Sequence, residues 1–256
     1  MLDTVHATLS QRSAFRRDVL AGLGQRHKSL PSRWLYDDAG SELFERITRL
    51  PEYYPTRTET AILSASAGEI ADFVGEGVTL IEYGAGAAVK TRILLDALVR
   101  PRAYLPVDIA GDFLDLTVEG IRDRYPDLVV EPVVADFTGD FHLPRLSPAT
   151  LPTQGSRRVA FFPGSTIGNL DSDEADALLR RMRGQVGPTG QAIIGLDLIK
   201  DRPTLLRAYD DRAGVTAAFN RNLLVRINRE LAGTLPLDAF RHEARWNEDE
   251  QAIEMH

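Results

Sequence analysis

What most constrains this chain is an alternation of strand-like and helical patterns that begins after Gly77 and continues past position 190. Apolar segments at 78–83, 103–108, 128–135, 158–162 and 191–196 read as strands, the third interrupted by Pro132. Helical periodicity fills 89–99, 111–124 and 173–186 between them, with Ala175, Leu178, Leu179 and Met182 on one face of the last. Strands joined through helices must run parallel, so this order predicts an α/β domain built on an open parallel sheet. Such sheets take their ligands beyond the carboxyl ends of the strands, and the residues following each strand are where chemistry is to be sought.

The flanking regions read differently. Leu43, Phe44, Ile47 and Leu50 recur at helical spacing after Ser41, a candidate N-cap, and Pro51 ends the run. Thr56 and Glu59 have capping-box spacing ahead of a second periodic segment containing Ile62, Leu63, Ile70 and Phe73. Between the two lies Pro51-Glu52-Tyr53-Tyr54-Pro55, a rigid loop whose phenols either close the core or stand at a helix entrance. Beyond Asp201, helices at 205–212 and 215–231 precede a hairpin formed by 242–246 and 252–256, which reads as a second module. The stretch 143–157, rich in Pro, Ser and Thr, is the most loop-like, and there is no internal repeat.

Composition narrows the function classes. The 256 residues carry 30 basic and 37 acidic side chains, a net charge of −7, which gives no electrostatic footprint for nucleic acid or an anionic membrane. The absence of cysteine removes disulfides, thiolate metal sites and thiol catalysis. No apolar run approaches the ~20 residues of a membrane-spanning helix, and the first 22 residues lack the layout of a secretory signal. His6, His27, His142, His242 and His256 show no metal-ligand spacing and are assigned surface or packing roles. The expected setting is the cytoplasm, the expected state a monomer, and the expected partner a small molecule without a metal.

The strand ends point to an adenosyl ligand. The first strand closes on Glu82-Tyr83-Gly84-Ala85-Gly86, where two glycines allow a tight turn and close backbone approach. Val89 stands where a dinucleotide site has its third glycine, which disfavours NAD and FAD. The second strand ends in Asp108, near the offset of ~20 residues at which a carboxylate accepts from ribose hydroxyls. The third ends in Asp136-Phe137, a carboxylate for the adenine amino group beside a ring for the base. Each aspartate alone could equally cap the next helix. Jointly, and with no Walker-type phosphate lysine, they describe S-adenosylmethionine. Lys90 either reaches the methionine carboxylate or is a solvated surface residue. The loop after the fourth strand, Pro163-Gly164-Ser165-Thr166-Ile167-Gly168-Asn169-Leu170, offers Asn169 as donor and acceptor for an amino acid, or as N-cap of the helix that follows.

Longer strings carry a resemblance over almost the whole chain: Leu30-Pro31 with 34–40, the run from Leu50 to Glu59, 164–170, Arg207-Ala208-Tyr209-Asp210-Asp211, and 214–222. By these the chain resembles the S-adenosylmethionine-dependent histidine Nα-methyltransferases of the ergothioneine pathway. The resemblance implies a Rossmann-like class I methyltransferase domain at 61–197. It also implies a smaller, discontinuous α+β substrate domain at 1–60 and 198–256. The implied activity is three methylations of the L-histidine α-amine to hercynine, with S-adenosylhomocysteine as by-product. The implied substrate residues are Tyr53, facing the amine, with Asn169 and Tyr209; Tyr53 and Asn169 are the implied catalytic pair. Gly84, Lys90, Asp108, Asp136 and Phe137 are the implied donor-binding residues. Alanines at 85, 87 and 88, where relatives often carry hydroxyls, imply the loss of one donor hydrogen bond. Relatives also continue through a further strand-rich stretch that grips the imidazole and completes the sheet. The chain therefore reads as C-terminally shortened, with unpaired backbone expected in the arm ending at His256. Rival readings are an N-methyltransferase of another amino acid or amine, and an inactive adenosyl-binding remnant.

Overall fold

The computed structural model describes the backbone of residues 2–146 and 157–256, and side chains from residue 11 onward. Most of the loop-like stretch 143–157, and the side chain of His6, lie outside the described residues. In chain order, α1 (Leu2–Leu23), α2 (Asp38–Ile47) and α3 (Tyr54–Val74) precede β1 (Thr79–Tyr83), α4 (Val89–Ala97), β2 (Ala103–Asp108) and α5 (Gly111–Arg124). There follow β3 (Val129–Val130), β4 (Val133–Val134), β5 (Arg158–Phe162), α6 (Ser172–Val186) and β6 (Gln191–Ile194). The last elements are α7 (Arg202–Tyr209), α8 (Val215–Leu231), β7 (Ala244–Asn247) and β8 (Ala252–Met255). Two compact units result, one of Tyr54–Ile199 and one of Met1–Tyr53 with Lys200–His256. The division falls at Tyr53/Tyr54 rather than at 60/61, because α3 runs unbroken through the latter position.

In Tyr54–Ile199 the strands form one parallel sheet in the order β3–β2–β1–β5–β6, with β4 also paired to β2. Alternate residues of each strand serve opposite faces. Leu80 and Val159 pack with Leu63 and Val74 of α3, Leu94 of α4 and Val118 of α5. Ile81, Tyr83, Ala160 and Phe162 pack with Leu178 and Met182 of α6. All five residues of β1 are buried, as the central strand of a sheet covered on both faces requires.

The third predicted strand is two short ones. Ala103 and Tyr104 pair with Val129 and Val130, and Val107 and Asp108 pair with Val133 and Val134. In the same register Pro132 falls opposite Pro106. Proline has no N–H to give the ladder, so pairing lapses there and resumes at Val133.

The other unit joins α1, α2, α7 and α8 to the antiparallel hairpin β7–β8. Arg226 of α8 is buried over the rings of Phe15 (4.7 Å) and Trp34 (5.4 Å), where it donates to the Trp34 carbonyl and pairs with Glu230. The hairpin's second arm is paired to its last residue, since Glu243 and His256 exchange both backbone hydrogen bonds. Among the described residues the second arm has no other strand beside it, so its outer edge, with the backbone of Ile253 and Met255, is unpaired as expected.

Two expected caps are also corrected. α2 begins at Asp38, and its N-cap is Asp37, whose carboxylate accepts from the Gly40 N–H at 2.8 Å; Ser41 is buried within the first turns. α3 begins at Tyr54, which places Thr56 and Glu59 inside the helix, and Glu59 bonds elsewhere. None of the described helices is long and apolar enough to cross a membrane.

Candidate functional site

The sheet grows from β1 toward β2 on one side and returns through β5 on the other, so β1 and β5 border the switch point at which open α/β sheets bind ligands. Left-handed backbone concentrates there. Gly84 (φ +76°), Gly86 (+49°) and Ala88 (+52°) follow β1, and Gly164 (+87°) and Ser165 (+56°) follow β5. For Ala88 and Ser165 this conformation costs on the order of 1 kcal/mol or more each, strain of the kind that collects at ligand sites.

Asp108 folds back onto this turn. Its carboxylate accepts from the N–H groups of Gly86 (3.3 Å) and Ala110 (3.0 Å). Burial raises its pKa against those backbone donors, which lower it. Phe137 stands over the same turn: a Cβ on Gly84 would lie 3.5 Å from the Phe137 ring edge. The ring packs on Phe162 with centroids 5.4 Å apart, and Arg181 holds the Phe137 carbonyl at 3.1 Å. Asp136 accepts from the Thr138 N–H (2.9 Å) and hydroxyl (2.6 Å), so part of its acceptor capacity closes its own turn. The structure thus brings Gly84, Asp108 and Phe137 together, with Asp136 next to them in the chain.

Lys90 is not a solvated surface residue. Its ammonium lies 2.6 Å from Glu59 Oε2, and its side chain is 19% exposed. The Gly164 N–H donates to both Glu59 oxygens at 2.8 Å, tying α3 and α4 to the loop after β5. Next to Lys90, the buried Glu82 accepts from the hydroxyls of Thr91 (2.6 Å) and Tyr104 (2.5 Å). Burial pushes its pKa up to about 7, against those hydrogen bonds and the charge of Lys90, which lower it.

Asn169 ends the short 3-10 turn Thr166–Asn169 and is exposed. It does not cap the next helix: α6 is capped by Asp171, which forms a reciprocal capping box with Glu174.

Tyr53 and Tyr209 belong to the other unit, and the structure brings them together. Tyr53 is buried, and the two rings meet edge to face with centroids 5.9 Å apart. Phe44 packs on Tyr53 at 6.2 Å. Tyr209 closes α7, and its carbonyl is held by His242 Nε2 at 2.7 Å. A carbonyl only accepts, so Nε2 carries the proton and Nδ1 accepts from the Asn220 amide at 3.0 Å.

Sequence reasoning missed two residues of these constellations. Glu59 is assigned to a helix cap by local spacing, whereas its partners lie 31 and 105 residues away. His242 belongs to the hairpin by pattern, and no local signal ties it to Tyr209, 33 residues earlier.

Comparison with known proteins completes this picture. A family model described as histidine-specific, S-adenosylmethionine-dependent methyltransferase matches residues 15–256. The histidine N-alpha-methyltransferase of Mycobacterium tuberculosis is 46% identical over 94% of this chain and 74% of its own length. That of Mycolicibacterium smegmatis is 46% identical over 96% of this chain and 75% of its own. Ergothioneine biosynthesis protein 1 of Neurospora crassa is 30% identical over 81% of this chain and 23% of its own. The parallel sheet with flanking helices is thus the Rossmann-like class I methyltransferase fold. A match across nearly the whole sequence, with a sheet whose switch point gathers Gly84, Asp108 and Phe137, leads to one conclusion: the chain belongs to the histidine-specific, S-adenosylmethionine-dependent methyltransferase family.

Proposed function

We propose that this chain transfers methyl groups from S-adenosylmethionine to the α-amine of L-histidine, three in succession, yielding the betaine hercynine for ergothioneine biosynthesis. The observation that carries this reading is the meeting of the Gly84 turn with Asp108 and Phe137 in a chain of this family. These residues fit the donor by their chemistry. Asp108 provides a carboxylate for the ribose hydroxyls, and Phe137 with Asp136 provides a ring and an acceptor for adenine. Gly84 gives close backbone approach, and Lys90 provides a cation for the methionine carboxylate.

When bound, the donor supplies an electrophilic methyl group on a sulfonium that leaves as a neutral thioether. The chain's own work is then positioning and desolvation. The phenolic oxygen of Tyr53 can accept an N–H of the substrate amine and so aim the lone pair. The amide of Asn169 and the phenol of Tyr209 serve the rest of the amine and carboxylate end. After each of the first two transfers the ammonium must shed a proton before its lone pair can act again. After the third, no N–H remains for Tyr53 to hold, which favours release of the quaternary product.

In this reading the unit Tyr54–Ile199 is the methyltransferase domain, and the other unit is the substrate domain. The protein works as a cytoplasmic monomer on a small amino acid. The test is mass spectrometry of the purified chain incubated with S-adenosylmethionine and a mixture of amino acids. Trimethylated histidine is the expected product. Methylation of another amino acid instead would overturn the substrate, and no methylated product would overturn the activity.

A further inference from the structure

Glu59 is absent from the donor-binding set above, yet its surroundings are those of a built site. From α3 its carboxylate reaches the residues that follow β1, β5 and β6. Oε2 lies 2.6 Å from Lys90 Nζ, and the Gly164 N–H is 2.8 Å from both oxygens. Gly195 lies against it so closely that a Cβ there would fall 1.8 Å from Oε1. Only 18% of the Glu59 side chain and 19% of Lys90 are exposed. Taking such a pair partly out of water is costly, and α3 does not need it, since Leu63, Ala71 and Val74 already seat that helix on the sheet.

A lysine and a glutamate side by side at strand ends match a ligand that carries a carboxylate and an ammonium on one carbon. Lys90 alone would take the carboxylate and leave the ammonium facing a like charge. With Glu59 beside it, each charge of the zwitterion meets its opposite, and the Gly164 N–H and the bare Cα of Gly195 fix where the carboxylate points. We propose that Glu59 binds the α-ammonium of the methyl donor, so that Lys90 and Glu59 together grip its amino-acid end. This inference rests on the donor reading of the site given above.

The test compares binding of S-adenosylhomocysteine with that of its analogue lacking only the α-amine, by calorimetry on the full chain and on Glu59→Gln. Glutamine keeps an acceptor for Gly164 and removes the charge. A charge-assisted hydrogen bond of this kind predicts that the chain prefers the amine-bearing ligand by about tenfold or more. In Glu59→Gln that preference disappears, while the analogue binds within about threefold of its original affinity, since its contacts are untouched. A Glu59 that merely holds Lys90 in place would weaken both ligands together, and that result overturns the proposal. So does an unsubstituted chain that binds both ligands equally, whatever the variant does. Failure of the unsubstituted chain to bind S-adenosylhomocysteine at all overturns the donor reading itself, and the two failures are thereby distinct.

Discussion

Tyr53 and Tyr209 meet edge to face, their centroids 5.9 Å apart and their planes at 82°, and Phe44 meets Tyr53 in the same manner at 6.2 Å and 79°. Ring packing and hydroxyl chemistry can therefore be separated by mutation. Tyr53→Phe keeps the stack and is expected to lower kcat/KM for histidine by about tenfold or more, the worth of an oriented hydrogen bond, with little change in melting temperature. Tyr53→Ala empties a buried site and is expected to cost about 3–5 kcal/mol of stability as well. Steady-state kinetics and thermal melts check both, and unaltered kinetics in Tyr53→Phe would remove its hydroxyl from the reaction.

Asp108 is expected to govern the donor alone. Asp108→Asn keeps the shape and removes the charge that accepts from the Gly86 and Ala110 amides. Its KM for S-adenosylmethionine is expected to rise by about tenfold to a hundredfold, while the KM for histidine stays within about twofold. Kinetics with each substrate varied in turn would show the split; a rise confined to histidine contradicts the assignment.

Glu82 predicts a pH dependence of stability. Burial raises its pKa from 4.5 to about 7, so the folded chain holds that proton more tightly than the unfolded chain does. Stability from this group is full below the ordinary glutamate range and falls as pH rises through about 7, by about 3 kcal/mol in all. Asp37 works in the opposite sense at lower pH. Burial raises its pKa, but the Arg229, Gly40 and Asn222 hydrogen bonds outweigh that and hold it below the usual value. Urea unfolding at pH 5 and pH 8 reads the Glu82 contribution, and Glu82→Gln is expected to flatten the profile. A variant with the same slope as the unsubstituted chain would assign the dependence to other groups.

Asp37 is also the hub of its unit. One carboxylate caps α2 through Gly40 at 2.8 Å, accepts from Asn222 at 2.6 Å and pairs with Arg229 at 2.6 Å. Asp37→Ala removes the cap and leaves Asn222, which is buried, without that partner. The expected loss is about 2–4 kcal/mol by denaturant titration. Asp37→Asn can still cap the helix and is expected to lose less. Equal losses in the two variants would mean that the ion pair, rather than the cap, carries the effect.

Much of the fold is legible in the chain itself. The segments 103–108, 111–124, 158–162 and 215–231 form the elements their periodicity predicts, because strand and helix leave repeats of two and 3.6 residues in the local order of apolar side chains. The glycine turn after β1 and the acidic strand ends are visible for the same local reason: an open parallel sheet delivers the ends of its strands to one edge.

Tertiary structure alone decided the rest. Asp37 rather than Ser41 caps α2, and the spacing of Thr56 and Glu59 suggests a capping box that does not form. Glu59 instead meets Lys90 and Gly164, and Tyr209 meets Tyr53 and His242. Each of these pairings joins residues from distant elements, and no local period records them. The sequence by itself determined which elements form and which edge of the sheet bears chemistry. Packing determined which charges and rings meet, since a side chain's partner depends on where other parts of the chain come to rest.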